Sequence, residues 1–338
     1  IIKSGKADMV AMGRQSIADP ETPNKAAAGC FADIRTCVGC LHGCDANVNL
    51  EQSGTCELNP IIGHESEAEY QTVMTDSPKN VLVIGAGPAG LEAAIGAAKR
   101  GHRVSVYDKD RWAGGKYRLA SVPPCKGELG AFIVWQMHEL KKLNVPVILN
   151  TVVTKELVDS VKPDVIIAAT GTTPVVPRKI PGWDKDIVVL GTDVLSGKAN
   201  TGHNVVVIGG GHAGAETANH IASYMKNVTI VELQEDIAMD EVDTPRNALL
   251  ADLEKNKVRV CASTSVSEIK DHSVVVSGKF NEEIECDTVV ISIGHTPNTT
   301  LADELIQAGY DVRIIGDAVK VGLVGPAVRA GYLTARQI

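Results

Sequence analysis

Cys37, Cys40, Cys44 and Cys56 stand in the pattern C-x2-C-x3-C-x11-C, with Gly39 and Gly43 between the first three. Four thiolates can close around a zinc ion or anchor an iron–sulfur cluster. Zinc sites usually pair two separated C-x2-C knuckles or add histidines at set spacing. Three cysteines within eight residues, separated by small glycines, better suit a loop wrapped round a bulky [4Fe–4S] cubane. A disulfide pair is the third reading, disfavoured because no secretion signal accompanies it. His42 lies inside the loop and reads as a neighbour shielding the metal group, because four cysteines complete a ligand set. Cys30, Cys125, Cys261 and Cys286 are scattered and read as small buried apolar residues.

A second chemistry lies in the glycines. Val81 to Ile84 lead into Gly85-x-Gly87-x-x-Gly90; a helix-forming run and a second apolar run, Val104 to Tyr107, follow and stop at Asp108. Gly85 permits the tight turn, Gly87 lets the backbone approach a pyrophosphate, and Gly90 lets the helix pack on the strand. The phosphates then meet the unpaired N–H groups at the helix N-terminus. Asp108 falls about 20 residues on, where an acid binds a ribose hydroxyl. The chain repeats the unit: Gly209, Gly211 and Gly214 precede Glu232, and Gly85 to Gly209 and Asp108 to Glu232 are both 124 positions apart. Duplication of a whole βαβ unit predicts two dinucleotides passing electrons between them. Glu232 would repel a 2′-phosphate, and Leu233 and Gln234 offer no arginine to receive one, so the second nucleotide reads as NADH rather than NADPH. His212, inside the second turn, reads as a residue of the helix's first turn rather than a nicotinamide contact.

The elements that must position these groups point to an α/β protein with two Rossmann-like dinucleotide-binding domains. Ala7 to Met12 reads as a buried strand followed by Gly13-Arg14, and Glu21 to Ala28 as a short helix after the Asp19-Pro20 break. Glu65 to Lys79 is polar and aperiodic, a linker or surface traverse. Trp112-Ala-Gly114-Gly115-Lys116 forms another glycine turn near the first nucleotide. Leu129, Phe132, Ile133, Met137 and Leu140 mark one buried face of a helix over Gly127 to Leu143. Val147 to Leu149 and Asp164 to Ala169 read as strands, the latter ending in Ala169-Thr170-Gly171 before Pro174 and Pro177 break the chain. A β-meander is expected from Val258 to Val276, then a strand over Thr288 to Ile293 that stops at Gly294. The chain closes with Val312-Arg-Ile-Ile-Gly316-Asp317 and a helix from Gly325. The expected divisions are 1–29, a 30–76 cysteine segment, 77–190 as a first dinucleotide part, 191–287 as the second dinucleotide domain, and 288–338 returning to the first.

Composition agrees. Apolar residues make up 44% and aromatics 4%, with 32 glycines, as aliphatic cores and glycine-rich turns require. The net charge of −8 and the lack of any basic block speak against nucleic acid as a partner. No apolar run approaches the ~20 residues of a membrane span. The start, IIKSGKADMV, lacks the features of a signal peptide and does not begin with Met, so it reads as a cut edge of a longer polypeptide in the cytoplasm.

GAGPAG with Asp108, ATG at 169–171, GGGHAG with Glu232, and IIGDA at 314–318 resemble the two-dinucleotide flavoprotein fold related to glutathione reductase. In that fold an FAD domain is interrupted by an NAD(P)H domain. The resemblance implies FAD at Gly85, Gly87, Ala89, Gly90, Asp108, Gly115, Lys116, Thr170, Gly171, Gly316 and Asp317, with Asp317 near the ribityl and pyrophosphate groups. It implies the nicotinamide dinucleotide at Gly209, Gly211, Gly214, Glu232 and Gly294. The order of Gly-Arg strand, cysteine segment, FAD unit and NAD unit further resembles the C-terminal half of the group of 2,4-dienoyl-CoA reductase, enoate reductase and trimethylamine dehydrogenase. Those proteins join an old yellow enzyme-type FMN barrel, a [4Fe–4S] cluster and a flavoprotein module, and often assemble through the barrel into homo-oligomers. By that resemblance residues 1–29 are the end of the barrel, and Gly13 and Arg14 meet the FMN phosphate. Most of the barrel, with the residues that would choose a substrate, is absent from this chain. No C-x2-C or C-x4-C lies within the dinucleotide units, which argues against a dithiol relay.

The implied route runs from NADH to FAD, through the cluster to FMN, and on to an activated C=C bond. Three alternatives stand beside it: an amine-dehydrogenase module whose electrons leave to an electron-transfer flavoprotein, an electron-feeding subunit of glutamate synthase type, and a nucleotide-binding scaffold without redox activity.

Overall fold

The computed structural model describes residues 1–338. Its strands are, in chain order, β1 (Asn80–Ile84), β2 (Arg103–Tyr107), β3 (Val147–Ile148), β4 (Val165–Ala168), β5 (Thr172–Pro174), β6 (Val188–Leu190), β7 (Asn204–Ile208) and β8 (Asn227–Val231). They continue as β9 (Arg259–Cys261), β10 (Thr264–Ile269), β11 (Ser273–Gly278), β12 (Glu282–Glu285), β13 (Thr288–Ile291), β14 (His295–Pro297) and β15 (Val312–Ile314).

Two parallel five-stranded sheets carry the architecture, in the orders β15-β4-β1-β2-β3 and β6-β13-β7-β8-β9. Each places its fingerprint strand, β1 or β7, at the centre. Sheets covered on both faces need unbroken aliphatic strands: Val81 to Ile84 and Val205 to Ile208 are all buried. The helices Pro88–Lys99 and His212–Ala222 follow the two glycine turns directly. The C-terminal helix Val324–Arg336 returns to pack on Pro88–Lys99. Small residues permit the approach: a Cβ on Gly331 would overlap the Ala89 carbonyl oxygen, and one on Gly96 would lie 2.8 Å from the Ala335 Cβ.

Several sequence expectations need correction. Ala7 to Met12 forms no strand and is largely exposed, Met9 to 85%; a parallel strand needs hydrogen-bonded neighbours, and none of the sheets borders this segment. β6 and β13 belong to the second sheet, although the expected bounds 77–190 and 288–338 put their residues with the first dinucleotide part. These strands are short Val/Ile runs without a glycine turn to mark their ownership. The meander is β10-β11-β12, displaced from Val258–Val276, because β9 pairs in parallel with β8. Pro174 ends an edge strand, β5, which pairs with β14 in a two-stranded link. Cys30 and Cys125 are exposed, whereas Cys261 and Cys286 are buried as expected.

Candidate functional site

The first turn is built as its glycines require. Gly85 sits at φ +109°, where a Cβ would overlap the Ala169 carbonyl oxygen, and Pro88 occupies the opening turn of the helix. The Gly85 N–H donates to Tyr107 O at 2.8 Å, and the Ala86 N–H donates to Asp108 Oδ2 at 2.6 Å. The second turn repeats each contact. The Gly209 N–H donates to Val231 O at 2.9 Å, and the Gly210 N–H donates to Glu232 Oε2 at 2.5 Å. Even the supporting loops match: Gly114 N–H reaches Ala86 O and Ala238 N–H reaches Gly210 O, both at 2.7 Å. Each acid thus braces its turn through part of its oxygen capacity, and a carboxylate has lone pairs left for ribose hydroxyls.

Around the first turn stand the other expected residues. A Cβ on Gly115 would lie 3.6 Å from Gly87 Cα, so this second glycine loop covers the first. Lys116 Nζ lies 2.9 Å from Asp317 Oδ2. Gly316 leaves room for Ala89, whose Cβ would be 2.9 Å from a Cβ there. Thr170 Oγ1 donates to Asn298 O at 2.5 Å, and Gly171 turns the chain at φ +65°. Gly294 turns at φ +102° into β14. At the second turn, Gly214 permits the same close helix approach as Gly90. Asp240 Oδ1 accepts the His212 N–H at 2.6 Å, so a carboxylate lies over this helix start beside Gly211.

Cys37, Cys40, Cys44 and Cys56 gather round one cavity, with Val38, Leu41 and Leu58 among its walls. No three of their sulfurs lie within 4.8 Å of one another. Thiolates on a tetrahedral zinc, with Zn–S about 2.3 Å, would sit roughly 3.8 Å apart. The four sulfurs are therefore not drawn together as tightly as a single tetrahedral ion requires. The loop owes its shape to Leu41 at φ +63° and Gly39 at φ +67°. Gly43 is held by the Thr55 N–H donating to its carbonyl at 2.7 Å, and a Cβ there would be 2.6 Å from Thr55 Oγ1. Burial pushes the Cys40 thiol up to about 12, with Glu57, Cys56 and Cys44 adding to the shift. A cationic metal group reverses that cost, because it binds the thiolate. Arg14 lines the same cavity, while Gly13 is exposed at the start of the helix Gly13–Ala18.

Two contacts that spacing did not disclose join this loop to the nucleotide units, and the second extends into a longer chain of charges. The Gly325 N–H, at the start of the C-terminal helix, donates to Glu57 Oε2 at 2.6 Å. His42 Nε2 lies 2.6 Å from Glu241 Oε1, on the second unit. Glu241 Oε2 is 3.0 Å from His212 Nε2, which is 2.9 Å from Glu216 Oε1, itself 2.7 Å from Lys126 Nζ. His212 is thus a member of a charged chain, and the contacts on its ring are ionic rather than well-aligned hydrogen bonds. A histidine and two acids spread over thirty positions leave no motif to read.

This chain of charges predicts a pH response. Burial alone would lower the His212 pKa, but Glu216 and Glu241 outweigh it and raise it above 6.5. Burial alone would raise Glu216 and Glu241, but their cationic partners hold both below 4.5. His212 therefore contributes stability that is complete below pH 6.5 and lost as pH rises through its raised value. The acids contribute stability that is complete above pH 4.5 and lost as pH falls through their lowered values. His212→Gln is expected to cost about 1–3 kcal/mol between those limits and to flatten the alkaline side of a Tm-against-pH profile. A variant profile parallel to the parent's would count against the charged chain.

The family model described as pyridine nucleotide-disulphide oxidoreductase matches residues 79–315. The chain belongs to that family. Within this oxidoreductase family it is 40% identical to a NADH oxidase of Thermoanaerobacter brockii over all of this chain and 53% of that protein. It is 36% identical to a cinnamate reductase of Clostridium sporogenes, over all of this chain and half of the relative. A solved 2-naphthoyl-CoA reductase complex superposes with a TM-score of 0.96 at 32% identity, covering all of this chain and 51% of its own. These likenesses agree with the resemblance to the enoate and dienoyl-CoA reductase group. The chain spans about half the length of the curated relatives it matches. No helix is long and apolar enough to cross a membrane.

Proposed function

We propose that this chain is the electron-delivering part of an NADH-dependent flavin and iron–sulfur oxidoreductase that reduces an activated C=C bond of enoate or enoyl-thioester type. The observation that carries the reading is the joining of three sites: two braced dinucleotide turns, and a four-thiol cavity tied to both units through Glu57 and His42. NADH supplies two electrons as a hydride, a cluster takes one at a time, and a flavin handles both. The order NADH, FAD, cluster, then FMN in a barrel of the longer protein follows from that counting, in a cytoplasmic setting.

The residues of this chain bind and orient. Gly85, Gly87, Ala89 and Gly90 present the first helix start to the FAD pyrophosphate, Asp108 takes ribose hydroxyls, and Lys116 with Asp317 lies by the ribityl chain. Gly115, Thr170, Gly171 and Gly316 shape the surrounding walls. Gly209, Gly211, Gly214 and Gly294 admit the nicotinamide dinucleotide, and Glu232 selects NADH. Cys37, Cys40, Cys44 and Cys56 hold the cluster. Gly13 and Arg14 serve the FMN side, and the cavity-lining position of Arg14 supports a place between cluster and barrel.

An anaerobic absorption spectrum before and after NADH tests the reading. A flavin band with a broad brown shoulder, bleached by NADH, is expected. Bleaching by dithionite alone would favour the amine-dehydrogenase module, and a colourless protein carrying zinc would refute the redox reading. Nucleotide choice has its own test. Glu232→Ala should weaken NADH roughly tenfold, the worth of a charge-assisted hydrogen bond, and narrow its advantage over NADPH; an unchanged ratio of kcat/KM would remove Glu232 from that role.

A further inference from the structure

Between β8 and the helix Asp243–Lys255, the backbone is pinned to the second glycine turn where the Ala238 N–H donates to Gly210 O. Ala238 is fully buried and stands at φ +50°, a left-handed conformation that alanine adopts only under constraint. Just beyond it, two consecutive carboxylates take opposite partners. Asp240 is exposed, and its Oδ1 accepts the His212 N–H of the helix start at 2.6 Å. The Glu241 side chain is only 2% exposed, and its Oε1 lies 2.6 Å from His42 Nε2 in the cysteine loop. The same oxygen accepts the Val242 N–H at 2.8 Å, and Oε2 faces the His212 ring at 3.0 Å.

One segment therefore holds an amide of the nucleotide turn with one residue and the cysteine loop with the next. Adjacent Cα atoms are about 3.8 Å apart, so neither carboxylate shifts far without the other. Amides at a helix start of this kind are the groups a dinucleotide pyrophosphate takes up, and Asp240 already holds one of them with a negative charge. Two anions on one donor repel strongly, so an arriving pyrophosphate must displace Asp240. That displacement strains the hold on Glu241, a buried carboxylate that depends on His42, His212 and the Val242 N–H around it. The first unit has no counterpart. Pro88 stands 124 positions before His212 and has no N–H to give, and Tyr117 stands 124 positions before Glu241.

We propose that Asp240 and Glu241 form a strap coupling the second nucleotide site to the cysteine loop: a dinucleotide pyrophosphate at the helix start displaces Asp240, and Glu241 then releases His42. Departure of the nucleotide restores both contacts. The proposal rests on the reading of the second turn as the nicotinamide dinucleotide site. Occupancy of that site is in this way relayed to the loop that carries Cys37, Cys40 and Cys44. Coupling of binding free energies is reciprocal, so whatever frees Glu241 from His42 must also tighten nucleotide binding.

The test is a calorimetric titration of the FAD-loaded chain with NAD+, which binds without reducing the flavin, at matched flavin and iron content. His42→Gln is expected to bind NAD+ about fivefold more tightly than the parent. In an Asp240→Ala background the link is cut, and the same His42→Gln change should leave affinity where it was. Simple loosening of the cysteine loop would act alike in both backgrounds. Hydrogen exchange on the parent needs no variant: amides of residues 41–46 should exchange faster once NAD+ is added. Unchanged or weaker binding in His42→Gln would overturn the proposal, as would an equal gain in both backgrounds or loop exchange indifferent to NAD+. A parent chain that binds no NAD+ would overturn the reading of the second turn as well, so titration of the parent separates the two failures.

Discussion

Gly90→Ala is expected to yield a chain that no longer retains FAD and melts well below the parent. A Cβ at Gly90 would overlap the Gly85 carbonyl oxygen and lie 3.1 Å from the Ala169 Cβ. Neither neighbour is a flexible side-chain end. Relief requires the helix Pro88–Lys99 to back away from β1, and that helix is also clamped by Gly331 against Ala89. Overpacking of this kind costs about 1–3 kcal/mol, and more where backbone must move. The N–H groups that would face a pyrophosphate would move with the helix. The matched substitution Gly214→Ala meets the Gly209 carbonyl in the same way, yet it acts on the second sheet. It should keep the flavin band and lose bleaching by NADH. Flavin content and NADH-dependent bleaching, measured on both variants, check the assignment. Equal flavin loss from both would show that the two turns do not serve separate nucleotides.

Cys40→Ala should abolish the brown shoulder and reduce iron from about four per chain to near zero, while NADH still bleaches the flavin. Cys40 is the thiol most strongly disfavoured as an anion by its surroundings, so without a metal group it gains nothing from ionising. Cys125→Ala, at an exposed thiol outside the cavity, should change neither reading. Metal analysis with absorption spectroscopy decides the matter. Iron retained in Cys40→Ala would remove that residue from the ligand set.

How much of this was legible in the sequence depended on whether function lay in contiguous residues. The two βαβ units announce themselves because Gly85 and Gly209 each sit at positive φ, which only a glycine tolerates readily. The four thiols are legible because three of them fall within eight contiguous residues and the fourth follows after eleven intervening residues. Ala7 to Met12 misled because an apolar run states that a strand can be covered, not that its neighbours are present. β6 and β13 pair across the expected bounds at 190 and 288, because a buried parallel strand looks alike wherever it pairs. The charged chain from Lys126 to His42 could not be read at all. Its members come from separate elements, and only folding brings His42 within 2.6 Å of Glu241.

The duplicated turns also differ at one matched place. Lys116 and Asp240 are 124 positions apart, the same interval that separates the glycines. Beside the first helix start the chain places an ammonium, and over the second a carboxylate. A dinucleotide at the second turn would bring two phosphate charges up to a resident anion, whereas at the first the carboxylate of Asp317 is paired with the Lys116 ammonium. On the reading proposed above, this single difference would make the first turn the tighter holder and the second the one that releases. A prosthetic group must stay through every cycle, whereas a spent reductant must leave at the end of each.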